Sequence, residues 1–164
     1  MLGEVFCAYF LLAFLLFYGG SPGIEKVKKQ DAQRRPWYGK GLRFECQRCG
    51  NCCRGEPGDV WVTTKEIGSI SSYMKESPDG FARKYLRKVG RRTSLLEFRN
   101  GDCIMYSNGC RVYKARPKQC RTFPFWSSNL KGRNAWEELK EFCPGVDRGR
   151  LHTMHEIEQQ RLGE

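Results

Sequence analysis

The chain has 164 residues, nine of them cysteine, and carries 29 Lys and Arg against 18 Asp and Glu, a formal charge of +11. This length suits one domain of ordinary size, and so many cysteines narrow the chemistry to a disulfide scaffold, a metal site or a redox relay. The basic excess excludes an acidic, self-solvating chain and favours thiolates, which neighbouring cations stabilise. As a surface property it serves solubility, nucleic acid or anionic lipid.

Val5 to Tyr18 is an uncharged, unbroken apolar run, and Gly19-Gly20-Ser21-Pro22-Gly23 ends it. The run is shorter than the ~20 residues of a usual membrane-spanning helix and matches a signal-peptide core. A signal peptide wants a basic residue before its core, whereas only Glu4 precedes this one, and Cys7 lies inside the run. Residues 1–23 are therefore read as a membrane anchor, a signal-like segment or the product of an upstream start site. Residues 24–43 form a connector in which Lys26, Lys28, Lys29, Arg34, Arg35, Lys40 and Arg43 outnumber Glu25 and Asp31. If residues 5–20 meet a membrane, this charge holds the rest of the chain on the inner side. The expected location is the cytoplasm, or a membrane anchor with the cysteine domain on the cytoplasmic side.

Residues 44–149 read as the domain and 150–164 as a polar helical tail. Val60-Trp61-Val62 predicts a short strand. Thr63 and Glu66 form a capping box for a helix over about 64–75, with Ile67, Ile70 and Met74 on one face. Ser77-Pro78 caps a second helix whose apolar stripe is Phe81, Tyr85 and Val89, with Gly90 just past its end. Its basic face and exit, from Arg83 to Arg92, read as solvated rather than as a nucleic-acid site. Leu95 to Phe98 and Cys103 to Tyr106 predict a hairpin about Asn100-Gly101, and Asn108-Gly109 a further turn. Pro117 opens a helical turn holding Cys120, and a last helix runs from about Asn134 to Phe142. The fold class is α+β, with short helices, a β-hairpin and much irregular chain around the cysteines.

The dense motif is Cys46-x-x-Cys49-x-x-Cys52-Cys53, and Cys103, Cys110, Cys120 and Cys143 lie beyond it. Two-residue spacing turns successive thiolates toward one ion, and Gly50 supplies the backbone freedom that close approach needs. Adjacent Cys52 and Cys53 cannot bridge each other without strain, so a disulfide scaffold would need a distant partner for each. Metal ligation by all eight is the stronger reading. A bacterial ferredoxin run would place a fourth cysteine at Glu56, before Pro57, so that signature is broken. His152 and His155 lie in the tail and read as a solvent-facing pair. All-sulfur ligation suits an iron–sulfur cluster and Zn²⁺ alike.

These residues resemble the YkgJ-type CxxCxxCC cysteine cluster family, described as zinc- or iron-chelating. The dense motif matches, and so does Cys110-Arg-Val-Tyr113 running through Arg116-Pro117 to Cys120-Arg121-Thr-Phe123-Pro124-Phe125. Cys103 and Cys143 match the family's other cysteines, and the resemblance covers about residues 44–149. It implies metal binding, in some members with iron–sulfur oxidoreductase activity or within protein-modifying enzymes, and it supplies no catalytic residue.

Arg116 and Arg121 bracket Cys120 and read either as hydrogen-bond donors to cluster sulfur or as salt-bridge partners of Asp102, Glu137 or Glu138. Phe123, Phe125 and Trp126 are expected to shield the site, and Tyr113 to be a core residue with its hydroxyl at the rim. Asp59 and Glu56 read as surface acids. The expected function is a metal-binding protein with a structural or electron-transfer role. The alternatives are an iron–sulfur oxidoreductase or protein-modifying enzyme, a secreted disulfide protein, and a zinc-dependent nucleic-acid module. No G-x-G-x-x-G or P-loop accompanies the cysteines.

Overall fold

The computed structural model describes residues 35–55 and 57–162. The apolar run at 5–20, most of the basic connector and Glu56 lie outside the described residues. Among the described residues, no helix is long and apolar enough to cross a membrane.

Strand β1 (Leu42–Phe44) leads into the cysteine loop, with a 3₁₀ turn at Asn51–Cys53. Helices α1 (Thr64–Tyr73) and α2 (Pro78–Tyr85) lead into strands β2 (Leu86–Val89) and β3 (Arg92–Leu95). A second 3₁₀ turn, Tyr113–Ala115, precedes α3 (Lys118–Thr122) and α4 (Arg133–Phe142). Strand β4 (Val146–His152) and α5 (Met154–Arg161) close the chain. The strands form two antiparallel pairs, β1 with β4 and β2 with β3. The fold is α+β, as the sequence predicts.

The helix starts obey their caps. In α1 the Thr63 side chain accepts from the Glu66 backbone while Glu66 reaches back to the Thr63 amide. In α2 Ser77 accepts from Gly80, and Pro78 occupies the first turn. Ile70 and Phe81 are fully buried, and Ile67, Met74 and Tyr85 pack on the same cluster. The end of α2 differs from expectation. The helix stops at Tyr85, and Leu86 to Val89 pair with Leu95 to Arg92 across a turn at Gly90, where φ is +57°. Leu96 donates to the Tyr85 carbonyl at 2.8 Å, so strand pairing captures the segment that helical periodicity would extend. Val89 is consequently exposed.

The predicted hairpin about Asn100-Gly101 contracts to one bridge, Glu97 to Cys103, with the turn in place. Trp61 likewise forms a single bridge to Ser94 rather than a strand. The Asn108-Gly109 turn is present, closed by the Tyr106–Cys110 bridge.

Two hydrophobic cores form. One gathers Val62, Ile70, Phe81, Leu95, Met105 and Val112. The other gathers Tyr38, Leu42, Phe125, Leu130, Trp136, Cys143, Val146 and Ile157. The second draws in Tyr38 and Leu42 from the connector and Ile157 from the tail. Among the described residues the compact unit begins at Trp37 and includes the last helix. His152 is also corrected. It is buried, with Nε2 3.1 Å from the Phe44 carbonyl oxygen, while His155 is exposed beside Gln159.

Candidate metal centre

The cysteine loop owes its shape to backbone that few residues adopt. Arg48 and Gly50 have φ of +55° and +80°. The adjoining 3₁₀ turn is closed by Cys53 N–H donating to the Gly50 carbonyl at 2.8 Å. Distant chain is then tied to each half of the loop. Asn51 Nδ2 donates to the Phe142 carbonyl at 2.7 Å, bringing the end of α4 and its capping residue Cys143 to the loop. Cys103 N–H donates to the Cys53 carbonyl at 2.8 Å. Cys110 arrives through its bridge with Tyr106, and Cys120 sits in the middle of α3.

All eight cysteines line one cavity of about 250 Å³. It lies where the two cores meet, since Leu95, Met105 and Val112 line it from one side and Phe44, Phe123 and Cys143 from the other. Cys49 and Cys52 are exposed, Cys143 is buried, and the others are half-buried. None of the eight is in a disulfide. Among the described residues, no group of three or more Cys, His, Asp or Glu side chains converges closely enough to hold a single ion.

Proximity divides the thiols. Cys53 lies in hydrogen-bond reach of both Cys52 and Cys110. Hydrogen bonding to Cys53 is the main reason the Cys52 thiol falls to about 7 and Cys110 to about 6, whereas Cys53, whose one proton both neighbours draw on, is pushed far up. Burial raises Cys103, and raises Cys120 to about 12, and both feel the charges of Cys52 and Cys110. Cys143, raised by burial, instead faces Cys49, Cys52 and Cys46. One group therefore gathers Cys53, Cys103, Cys110 and Cys120, and the other Cys46, Cys49 and Cys143. Cys52 lies within reach of both.

Arg116 lines the cavity, and its charge lowers Cys52, Cys110 and Cys120. Its guanidinium lies 3.7 Å from the centre of the Tyr113 ring. Among the described residues it forms no ion pair with Asp102, Glu137 or Glu138. Arg121 also lines the cavity and donates to the Arg116 carbonyl.

The tertiary structure adds contacts around the thiols that spacing does not supply. Tyr113 is more than a core residue, since its hydroxyl hydrogen-bonds Cys46, which raises the phenol above its usual range. Arg48 covers that ring as well, 4.6 Å from its centre. Phe44 and Phe142 line the cavity beside Phe123. The expected shield is corrected in part. Phe125 is buried in the second core, stacked on Trp136, and Trp126 turns its Nε1 to the Gln119 carbonyl, so neither lines the cavity. Asp59 is paired with Arg87 at 2.9 Å, away from the cysteines. The donor set that remains is entirely thiol, which suits soft, thiophilic metals.

A family model, CxxCxxCC, described as "Putative zinc- or iron-chelating domain", matches residues 45–144. Two curated proteins of Methanocaldococcus jannaschii are similar. "Uncharacterized protein MJ0661" is 31% identical over 103 residues, covering 61% of this chain and 54% of its own length. "Uncharacterized protein MJ0939" is 24% identical over 123 residues, covering 68% of this chain and 40% of its own. The chain thus spans about half or less of these relatives. No solved structure matches it. The matched region is the segment that carries all eight cavity cysteines, and the chain belongs to the CxxCxxCC family.

Proposed function

We propose that the eight cysteines hold an iron–sulfur centre and that the protein is a thiolate metal-binding domain with a structural or electron-transfer role. The observation that carries the reading is the shared cavity lined by Cys46, Cys49, Cys52, Cys53, Cys103, Cys110, Cys120 and Cys143. Eight thiols exceed the four that one tetrahedral ion takes. A zinc site also needs its sulfurs about 2.3 Å from one point. Here the thiols surround a volume of about 250 Å³, room for a centre larger than one ion. Two sets of four follow if Cys52, a neighbour of both groups, completes Cys46, Cys49 and Cys143 and leaves Cys53, Cys103, Cys110 and Cys120. Arg116 and the Tyr113 hydroxyl would tune the sulfurs by charge and hydrogen bonding. Exposed Cys49 and Cys52 give an electron a short way out. Free thiols on this scale favour a reducing compartment, in keeping with the cytoplasmic location read from sequence.

Anaerobic purification of the full chain, with iron, sulfide and zinc analysis and an absorption spectrum, tests the reading. Stoichiometric iron and sulfide with visible charge-transfer bands are expected. Zinc without iron would overturn the cluster and keep thiolate ligation, and metal-free folded protein would overturn both. Cys143→Ser and Cys110→Ser should each remove about half of the metal if the two sets are separate, because loss of a ligand empties its own set first.

A further inference from the structure

On the other face of α3 lies a second, larger hollow of about 1430 Å³ that the metal reading leaves unused. Four separate elements bring cations to it. Lys88, Arg91 and Arg92 come from the β2–β3 hairpin and Lys65 from the first turn of α1. Lys114 comes from the second 3₁₀ turn, and Lys118 and Arg121 from α3. All of these side chains are exposed. Among the described residues none of them forms an ion pair.

Glu66 is the one carboxylate among the described residues on these walls, so the cations outnumber it heavily. Its oxygens accept from the amides of Thr63 at 2.9 Å and Lys118 at 2.6 Å. Uncompensated cations repel one another, so concentrating them in a concave wall costs stability unless an anion is received there. The hollow also holds two half-buried indoles, Trp61 and Trp126. The Arg92 guanidinium lies over the Trp61 ring, 3.8 Å from its centre, giving a flat cationic platform. Hydroxyls and an amide from Thr63, Thr93, Ser128 and Gln119 complete the walls.

We infer that this hollow is a binding site for single-stranded nucleic acid, with phosphates on the lysine and arginine side chains and unpaired bases stacked on the Arg92–Trp61 platform. Cations tracking a backbone beside planar groups are the general solution for a single strand. A duplex keeps its bases stacked inside and has no use for the platform. A bilayer is flat, whereas these cations line a concavity. The inference is independent of which metal the cysteines hold, although Arg121 belongs to both cavities.

The test is fluorescence anisotropy of a labelled uridine decamer titrated with the full metal-loaded chain at several salt concentrations. Binding should weaken with salt, the logarithmic slope being roughly −0.7 for each phosphate engaged. The triple variant Arg91→Ala/Lys114→Ala/Lys118→Ala should lose tenfold or more in affinity. Arg83→Ala/Arg99→Ala/Arg111→Ala, which removes equal charge from exposed positions outside the hollow, should lose much less. Unchanged metal content in both variants would show that the fold is intact. Equal losses in the two triples, equal affinity for a duplex of the same length, or tighter binding to vesicles containing phosphatidylserine would each overturn the inference.

Discussion

At the scale of single residues, the cysteine loop depends on one glycine. A Cβ added at Gly50 would sit 2.6 Å from the Tyr106 ring, at a φ of +80° that side chains resist. Tyr106 lies in the stretch between Cys103 and Cys110, so a push on its ring bears on the chain that carries those two cysteines. Gly50→Ala should therefore cost about 1–3 kcal/mol and lower metal content, measured by chemical denaturation and metal analysis. Tyr113→Phe removes the hydroxyl that bonds Cys46 and should cost about 1 kcal/mol. Its distinguishing effect is a shift in the spectrum or potential of the bound centre while metal content stays near normal.

His152 supplies a pH dependence. Burial lowers its pKa from the ordinary 6.5, and the nearby Arg150 adds to the effect, although the Phe44 carbonyl opposes it. Nε2 faces that carbonyl, so the neutral ring donates there, and buried Nδ1 has no partner. Protonating Nδ1 would bury an unmatched donor. Because the unfolded chain takes up this proton more readily, the stability due to neutral His152 is complete above pH 6.5 and declines as pH falls toward the lowered folded value. His152→Gln should flatten that decline in denaturation midpoints measured from pH 7.5 to 5.

At the scale of elements, the capping residues make separable predictions. Thr63→Ala removes one half of the α1 capping box and should cost about 1 kcal/mol. Thr153 and Glu156 make the same box at the start of α5. The tail helix also buries Ile157 completely in the second core. Ile157→Ala should cost about 2–5 kcal/mol in a single unfolding transition. A change in a minor, separate transition alone would mean that the tail is not part of the cooperative unit. The sequence made most element starts legible, because caps and turns act through neighbours in the chain. Thr63, Ser77, Pro117, Asn100-Gly101 and Asn108-Gly109 all stand where local chemistry puts them. The end of α2 was not legible. Leu86 to Val89 suit a helix or a strand by themselves, and only pairing with Arg92 to Leu95 chooses between them.

At the scale of the whole molecule, the cysteine cavity joins two cores that otherwise bury their apolar groups separately. A bound centre would therefore act as the link between them. Removing it with a chelator under reducing conditions should lower the midpoint of thermal unfolding and broaden the transition, monitored by calorimetry and restored on reloading. The dense motif supplies four thiols, but the other four come from chain 50 to 90 residues further on, placed by Cys103 N–H on Cys53 and by Asn51 on Phe142.

By itself, the sequence determined the α+β class and the family, and it singled out the eight cysteines that line one cavity. These come from residue types, spacings and local turns, which a linear reading contains. Tertiary structure alone decided which thiols neighbour one another, that Tyr113 rather than Phe125 or Trp126 attends them, and that His152 and Ile157 are interior. It also brought the cations of β2, β3, α1 and α3 to one hollow. The physical reason is that burial and charge proximity depend on distances between residues far apart in the chain, and those distances exist only after the two cores have formed.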